Sequence, residues 1–84
     1  MSGIVRELRF TEEASADLES IPERTAERVL TRLVAYADGN MSDIKKLKGR
    51  DEFRLRVGDY RVLFVLDGKL IDVRRILHRR EAYR

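Results

Sequence analysis

The chain has 84 residues, 39% charged and 43% hydrophobic, with a net charge of +3, one histidine and no cysteine. That length supports one modest core, so residues 1–84 are read as a single domain with no room for a second catalytic one. Disulfides, thiolate chemistry and a structural zinc site lack the residues they need, and neither a metal nor another cofactor is expected. No apolar run approaches the ~20 residues that cross a bilayer, so the expectation is a cytoplasmic protein without membrane partners.

The charge is divided. Residues 1–43 carry 5 Lys/Arg against 9 Asp/Glu, a net −4, while residues 44–84 carry 13 against 6, a net +7. A polyanion would therefore meet the second half.

Residues 4–10, IVRELRF, alternate imperfectly and predict a strand ending at Thr11, a good N-cap before the acidic first turn Glu12-Glu13. A short helix follows to about Ser20. Pro22 suits the first position of a second helix, in which Ala26, Val29, Leu30, Leu33, Val34 and Ala37 recur at helical spacing until Asp38-Gly39-Asn40 stops the pattern. The two helices form a hairpin whose apolar stripe needs a partner.

The partner is the remaining chain. A short extended piece closes at LKG, 47–49, and three strand-like runs follow, joined by the two-residue turn candidates Gly58-Asp59 and Asp67-Gly68. These turns set Val57 opposite Tyr60, Leu55 opposite Val62 and Phe53 opposite Phe64, then Phe64 opposite Ile71 and Val62 opposite Val73. The fold class expected is α+β: an N-terminal strand and helical hairpin packed on a small antiparallel sheet, with a short C-terminal segment.

The same register sets Arg56 opposite Arg61, Arg61 opposite Arg74, and Arg54 on the same face. Like charges facing each other across strands destabilise by about 0.2–1 kcal/mol each, so a cationic stripe over three strands calls for a counter-charge. A phosphate backbone supplies one, and arginine's planar fork grips it bidentately. The alternative is a structural ion-pair network, since Asp72 lies close by in sequence, and Leu63, Val65, Leu70 and Ile76 on the same face need cover. The tail HRREAYR adds His78, Arg79, Arg80 and Tyr83: a group titrating near neutral pH, two cations and an aromatic able to stack on a base. Alternation puts His78 on the stripe face unless the strand bulges.

KLKG at 46–49, FRLRVGDYRVLF at 53–64 and HRREAY at 78–83 resemble the RelE/ParE family of toxins from prokaryotic toxin–antitoxin pairs, and the order of elements matches over essentially the whole chain. The resemblance implies a small sheet with two helices on one face. Its RelE branch implies cleavage of messenger RNA in the ribosomal A site without a metal, by basic residues on the sheet plus an arginine and a tyrosine near the C-terminus. Carried over by position, these are Arg54, Arg56, Arg61, Arg79 and Tyr83, with Lys46 and Lys48 holding flanking phosphates; independently of the resemblance, Arg74 of the stripe and Arg80 of the tail are read as RNA contacts. The founding RelE has lysines where this chain has Arg54 and Arg56. Arginine is a poor base, which leaves His78 or Lys48 to take a proton. The ParE branch implies a DNA gyrase poison instead, and a noncatalytic RNA-binding module of the same fold is the third alternative. Either toxin branch implies a cognate antitoxin wrapping the helices, in a hetero-oligomer that binds operator DNA through the antitoxin.

Overall fold

The computed structural model describes residues 6–39, 44–46 and 52–82. In chain order it contains β1 (Glu7–Phe10), α1 (Glu12–Ser20), α2 (Glu23–Ala37), β2 (Ile44–Lys46), β3 (Glu52–Val57), β4 (Tyr60–Asp67), β5 (Leu70–His78) and α3 (Arg79–Ala82). The five strands form one sheet in the order β1-β5-β4-β3-β2. Four of them run antiparallel, as expected, whereas β1 adds parallel to the far edge along β5 and makes the sheet mixed.

Thr11 starts α1 as its sequence position predicts: its hydroxyl accepts the Ala14 N–H at 3.1 Å. Pro22 sits one position outside α2, where its carbonyl accepts the Ala26 N–H at 2.9 Å. The helix ends where expected, with Gly39 at φ +97° closing onto the Tyr36 carbonyl. Its buried stripe, Val29, Leu33, Tyr36 and Ala37, packs with Ala14 against Leu55, Val57, Val62, Phe64, Ile71, Val73 and Ile76 of the sheet. The Phe64 ring lies between Tyr36 and Phe53, at 5.4 and 5.5 Å between centroids. Truncating one such fully buried side chain to alanine costs about 2–5 kcal/mol, so this core holds the opposite sheet face in place. No helix among the described residues is long and apolar enough to cross a membrane.

The β3–β4 hairpin has the predicted register, Val57 to Tyr60, Leu55 to Val62 and Phe53 to Phe64, around Gly58 at φ +56°. The second hairpin does not. Its loop is Gly68-Lys69, so Asp67 pairs with Leu70, Leu66 with Ile71 and Phe64 with Val73, not Ile71. Both loops thus place glycine first, where the backbone turns left-handed; Gly68 has φ +60°. A bulge then shifts the register between Leu63 and Phe64, so Leu63 pairs with Arg75, Val62 with Ile76 rather than Val73, and Tyr60 with His78.

Candidate functional site

Residues paired across strands share a face, so the register maps the face opposite the helices. One row reads Arg56, Arg61, Leu77; the next, Arg54, Leu63, Arg75; the third, Glu52, Val65, Asp72, with Arg9 of β1 beyond. Rows lie about 7 Å apart and neighbouring strands about 4.8 Å. This open face is basic toward the β3–β4 turn and acidic toward the other end.

At the turn end, Arg61 is only 7% exposed, and its Nη1 donates to the carbonyls of Gly58 and Tyr60, both at 3.0 Å. Its guanidinium braces the turn, and its cross-strand partner Arg56 is exposed. The start of α3 closes on the same turn through the Arg79 N–H, which donates to the Asp59 carbonyl at 2.7 Å, while Arg79 Nε stands 4.0 Å from Asp59 Oδ1. From the helix side, Arg28 approaches so closely that a Cβ on Gly58 would lie 3.4 Å from its Nη1. Four arginines, 28, 56, 61 and 79, thereby converge on one turn.

At mid-sheet the bulge is tied down by α1. The Thr11 hydroxyl donates to the Arg74 carbonyl at 3.0 Å, and the Asp17 carboxylate accepts the Ile76 N–H at 2.9 Å. Asp17 also takes Arg75 bidentately, at 2.7 and 3.2 Å. Burial would raise the Asp17 carboxyl, but the Arg75 guanidinium and the Ile76 N–H outweigh it, so Asp17 titrates below its ordinary value. The hydrogen bond to Asp17 raises Arg75 in turn. A concave pocket of about 410 Å³ opens here, lined by Glu13, Glu52, Leu63, Phe64, Val65, Arg74 and Arg75.

A sequence model of the family described as the ParE toxin of type II toxin–antitoxin systems, parDE, matches residues 8–83. Toxin RelE3 of Methanocaldococcus jannaschii is 34% identical over 73 residues, covering 80% of this chain and 83% of its own. The chain belongs to the RelE/ParE superfamily of type II toxins. Toxin folds solved with their antitoxins agree. The RelB–RelE complex of Methanococcus jannaschii is 31% identical with a TM-score of 0.76, over 89% of this chain and 94% of that one. The Pyrococcus horikoshii RelE–RelB complex (24% identical, TM-score 0.77, 89% and 96% covered) and the Pseudomonas aeruginosa ParDE system (19%, 0.72, 90% and 98%) share the fold.

On the toxin's open face, the predicted residues Arg54, Arg56 and Arg61 come together. Arg74 does not join them: it is the bulge residue, outside the cross-strand pairs, exposed and paired with Asp72 at 3.1 Å, so Arg61 faces Leu77 instead. The same one-residue shift carries His78 and Ile76 to the helix-packed face. Ile76 is buried there, and His78 stands edge-on to Tyr60, 5.4 Å between centroids, with Nδ1 accepting the Arg80 N–H at 3.3 Å. Arg79 and Arg80 are exposed in α3. Lys46 ends β2, in register with Phe53; Lys48 and Tyr83 lie outside the described residues. The toxin residues that sequence reasoning missed are Arg75, Asp17 and Arg28. Only Arg75 carries a local signal: apolar positions 71, 73 and 76 break the two-residue period by one.

Proposed function

We propose that this toxin is a ribonuclease that cleaves messenger RNA in the ribosomal A site, held in check by a cognate antitoxin. The observation carrying this reading is the basic end of the open face, where Arg54 and Arg56 on β3 share a face with the braced Arg61 of β4, with Arg79 at the adjoining turn. Fixed cations on a rigid sheet can hold a scissile phosphate and stabilise the charge that builds on it. The nucleophile is then the substrate's own 2′-hydroxyl. Its oxygen attacks the adjacent phosphorus as the bond to the 5′-oxygen breaks, leaving a 2′,3′-cyclic phosphate and a 5′-hydroxyl, with no metal required by the step. His78 faces the other side of the sheet, so the proton released from the 2′-oxygen passes to Lys48, the remaining candidate base, or to solvent, and a proton from solvent completes the 5′-hydroxyl.

Exposed Leu30 (38%) and Val34 (51%) on α2 offer an amphipathic antitoxin segment an apolar landing beside the acidic N-terminal half. Operator DNA would be bound by the resulting hetero-oligomer through the antitoxin. The ParE description of the matching family model favours a second reading, a DNA gyrase poison. Expression without antitoxin separates them. Message cut within codons and bearing cyclic-phosphate ends supports the nuclease; gyrase-linked DNA breaks with intact message overturn it. The absence of both effects points to a noncatalytic RNA-binding module or an inactivated toxin.

A further inference from the structure

We propose that Arg28 and Arg24 of α2 continue the basic end of the open face around the β3–β4 turn, as a track that binds an RNA phosphate backbone beyond the cut. The proposal rests on the RNA-cleaving reading and extends it from the sheet to the helical layer.

The turn is where the two layers meet. Arg56 and Arg79 reach it from the sheet and from α3, and both are exposed. From α2 the whole head of Arg28 rests against it: a Cβ on Gly58 would lie 3.4 Å from Nη1, 3.7 Å from Nη2 and 3.9 Å from Cζ. Arg28 is exposed and makes no hydrogen bond or ion pair among the described residues, so its donors are open to a phosphate. The carboxylate of the turn itself is Asp59, which stands 4.0 Å from Arg79 Nε in a pair whose side chains are 68% and 58% exposed. So solvated a contact holds weakly; it offsets one of the four arginine charges and leaves the turn open to a polyanion.

Past the turn the helix repeats the cation. Arg24 is exposed four residues before Arg28, about 6 Å along the same ridge. The two line a groove of about 280 Å³ together with Glu27, Thr31 and Arg32. Arg32 has a partner of its own. Arg24 and Arg28 still outweigh the single charge of Glu27, and the exposed Thr31 hydroxyl is a further donor to a phosphate oxygen. A positive groove that tracks the backbone without reading bases is how single strands are held. Leu30 and Val34, the apolar landing offered to the antitoxin, fall about 200–240° around the helix from Arg28, as does Glu23, so the ridge is a separate surface.

The test titrates the purified toxin, by fluorescence anisotropy at several salt concentrations, with 2′-O-methyl oligoribonucleotides, whose blocked 2′-oxygens prevent attack. A short strand spans only the open face; a longer one extends past it at both ends. Arg28→Gln should lower the slope of log affinity against log salt by about 0.7 on the longer strand, and Arg24→Gln combined with it by about 1.4, as for one and two lost phosphate contacts. The short strand should keep its wild-type slope. Arg28→Lys should restore the slope, because a point charge serves for the backbone, and Glu27→Gln should tighten the longer strand. All three residues are exposed, so the unfolding midpoints should hold. The same variants are titrated against ribosomes carrying no message: a loss seen only there assigns the phosphates to ribosomal RNA, and a loss on the longer strand assigns them to the message. Slopes unchanged on both overturn the track. So does an equal loss on the short strand, which places Arg28 at the cut itself, and so does a loss of antitoxin affinity with RNA binding intact, which assigns the ridge to a protein interface. Cleavage of unmodified message on programmed ribosomes is scored separately: a lowered slope without cleavage sinks the nuclease and keeps the track, and cleavage with unchanged slopes does the reverse.

Discussion

The two β-hairpins are built from the same parts, a two-residue loop opening with a left-handed glycine between apolar strands, yet they carry charge differently. In β3–β4 the alternation is unbroken, so Arg56 and Arg61 are forced into facing positions and the strain of like charges becomes a basic end. In β4–β5 one inserted residue exchanges faces. Arg74 leaves the ladder, Arg75 takes its place on the open face, and α1 neutralises Arg75 through Asp17. Regular pairing thus concentrates positive charge, and the bulge dissipates it.

Breaking the basic end should have the largest effect. Arg56→Ala, and separately Arg54→Ala, should lower single-turnover cleavage on programmed ribosomes by on the order of 10²–10³, as for other lost contacts to developing charge. Arg56 is exposed, and removing it relieves the facing pair with Arg61, so its unfolding midpoint should hold or rise slightly. A variant that unfolds more readily while retaining its rate would reverse this assignment.

Breaking the bulge should act first on stability. Asp17→Ala strands the Ile76 N–H and the Arg75 guanidinium, which should cost about 1–3 kcal/mol and lower the melting temperature by roughly 4–8 °C per kcal/mol. Because Asp17 titrates below its ordinary 3.8 in the folded toxin, its contribution is full above that pH and lost as pH falls below it. The stability gap between wild type and Asp17→Asn should therefore close on acidification below pH 3.8. A gap that persists at the lowest pH would mean that Asp17 acts through packing alone.

A smaller effect sharpens the comparison at the loops. Gly68→Ala should cost about 1–2 kcal/mol, entirely from the left-handed backbone at φ +60°, because nothing lies within 4 Å of an added Cβ. Gly68→Asn should recover part of the loss, since asparagine tolerates that conformation. Equal stability of Gly68→Ala and wild type, by chemical denaturation, would show that the loop closes elsewhere.

Most of the fold is legible in the chain because each element carries its own punctuation. Thr11 caps α1, Gly39 ends α2, and Gly58 fixes both the first loop and the register that brings Arg54, Arg56 and Arg61 together. The second hairpin is less legible because Asp67-Gly68 and Gly68-Lys69 are both plausible two-residue loops, and only the handedness of the backbone chooses between them. Its bulge depends on Thr11 and Asp17, 63 and 59 residues away from the atoms they hold, and no local pattern reports such a contact. The spacing of Ile71, Val73 and Ile76 does record the inserted residue, and it could have moved His78 off the basic face in advance.

His78 is where that one-residue shift has its sharpest chemical consequence. On strict alternation it would flank the arginines and stand ready to take the proton of the 2′-hydroxyl. On the observed register it pairs with Tyr60 on the face that carries Val57, its ring packs edge-on against that tyrosine, and its Nδ1 receives the Arg80 N–H at the start of α3. Each of these contacts orients the C-terminal segment, and none aims the imidazole at the phosphate-binding row. His78→Gln keeps an acceptor for the Arg80 N–H while removing the imidazole. The cleavage rate should accordingly stay within about threefold of wild type, with the same pH profile between about 5.5 and 7.5, whereas loss of a general base would cost about 10² or more and flatten the profile. A fall of that size in a folded variant would mean that α3 swings His78 around the end of the sheet when RNA binds, and the resting register would then misstate the working site.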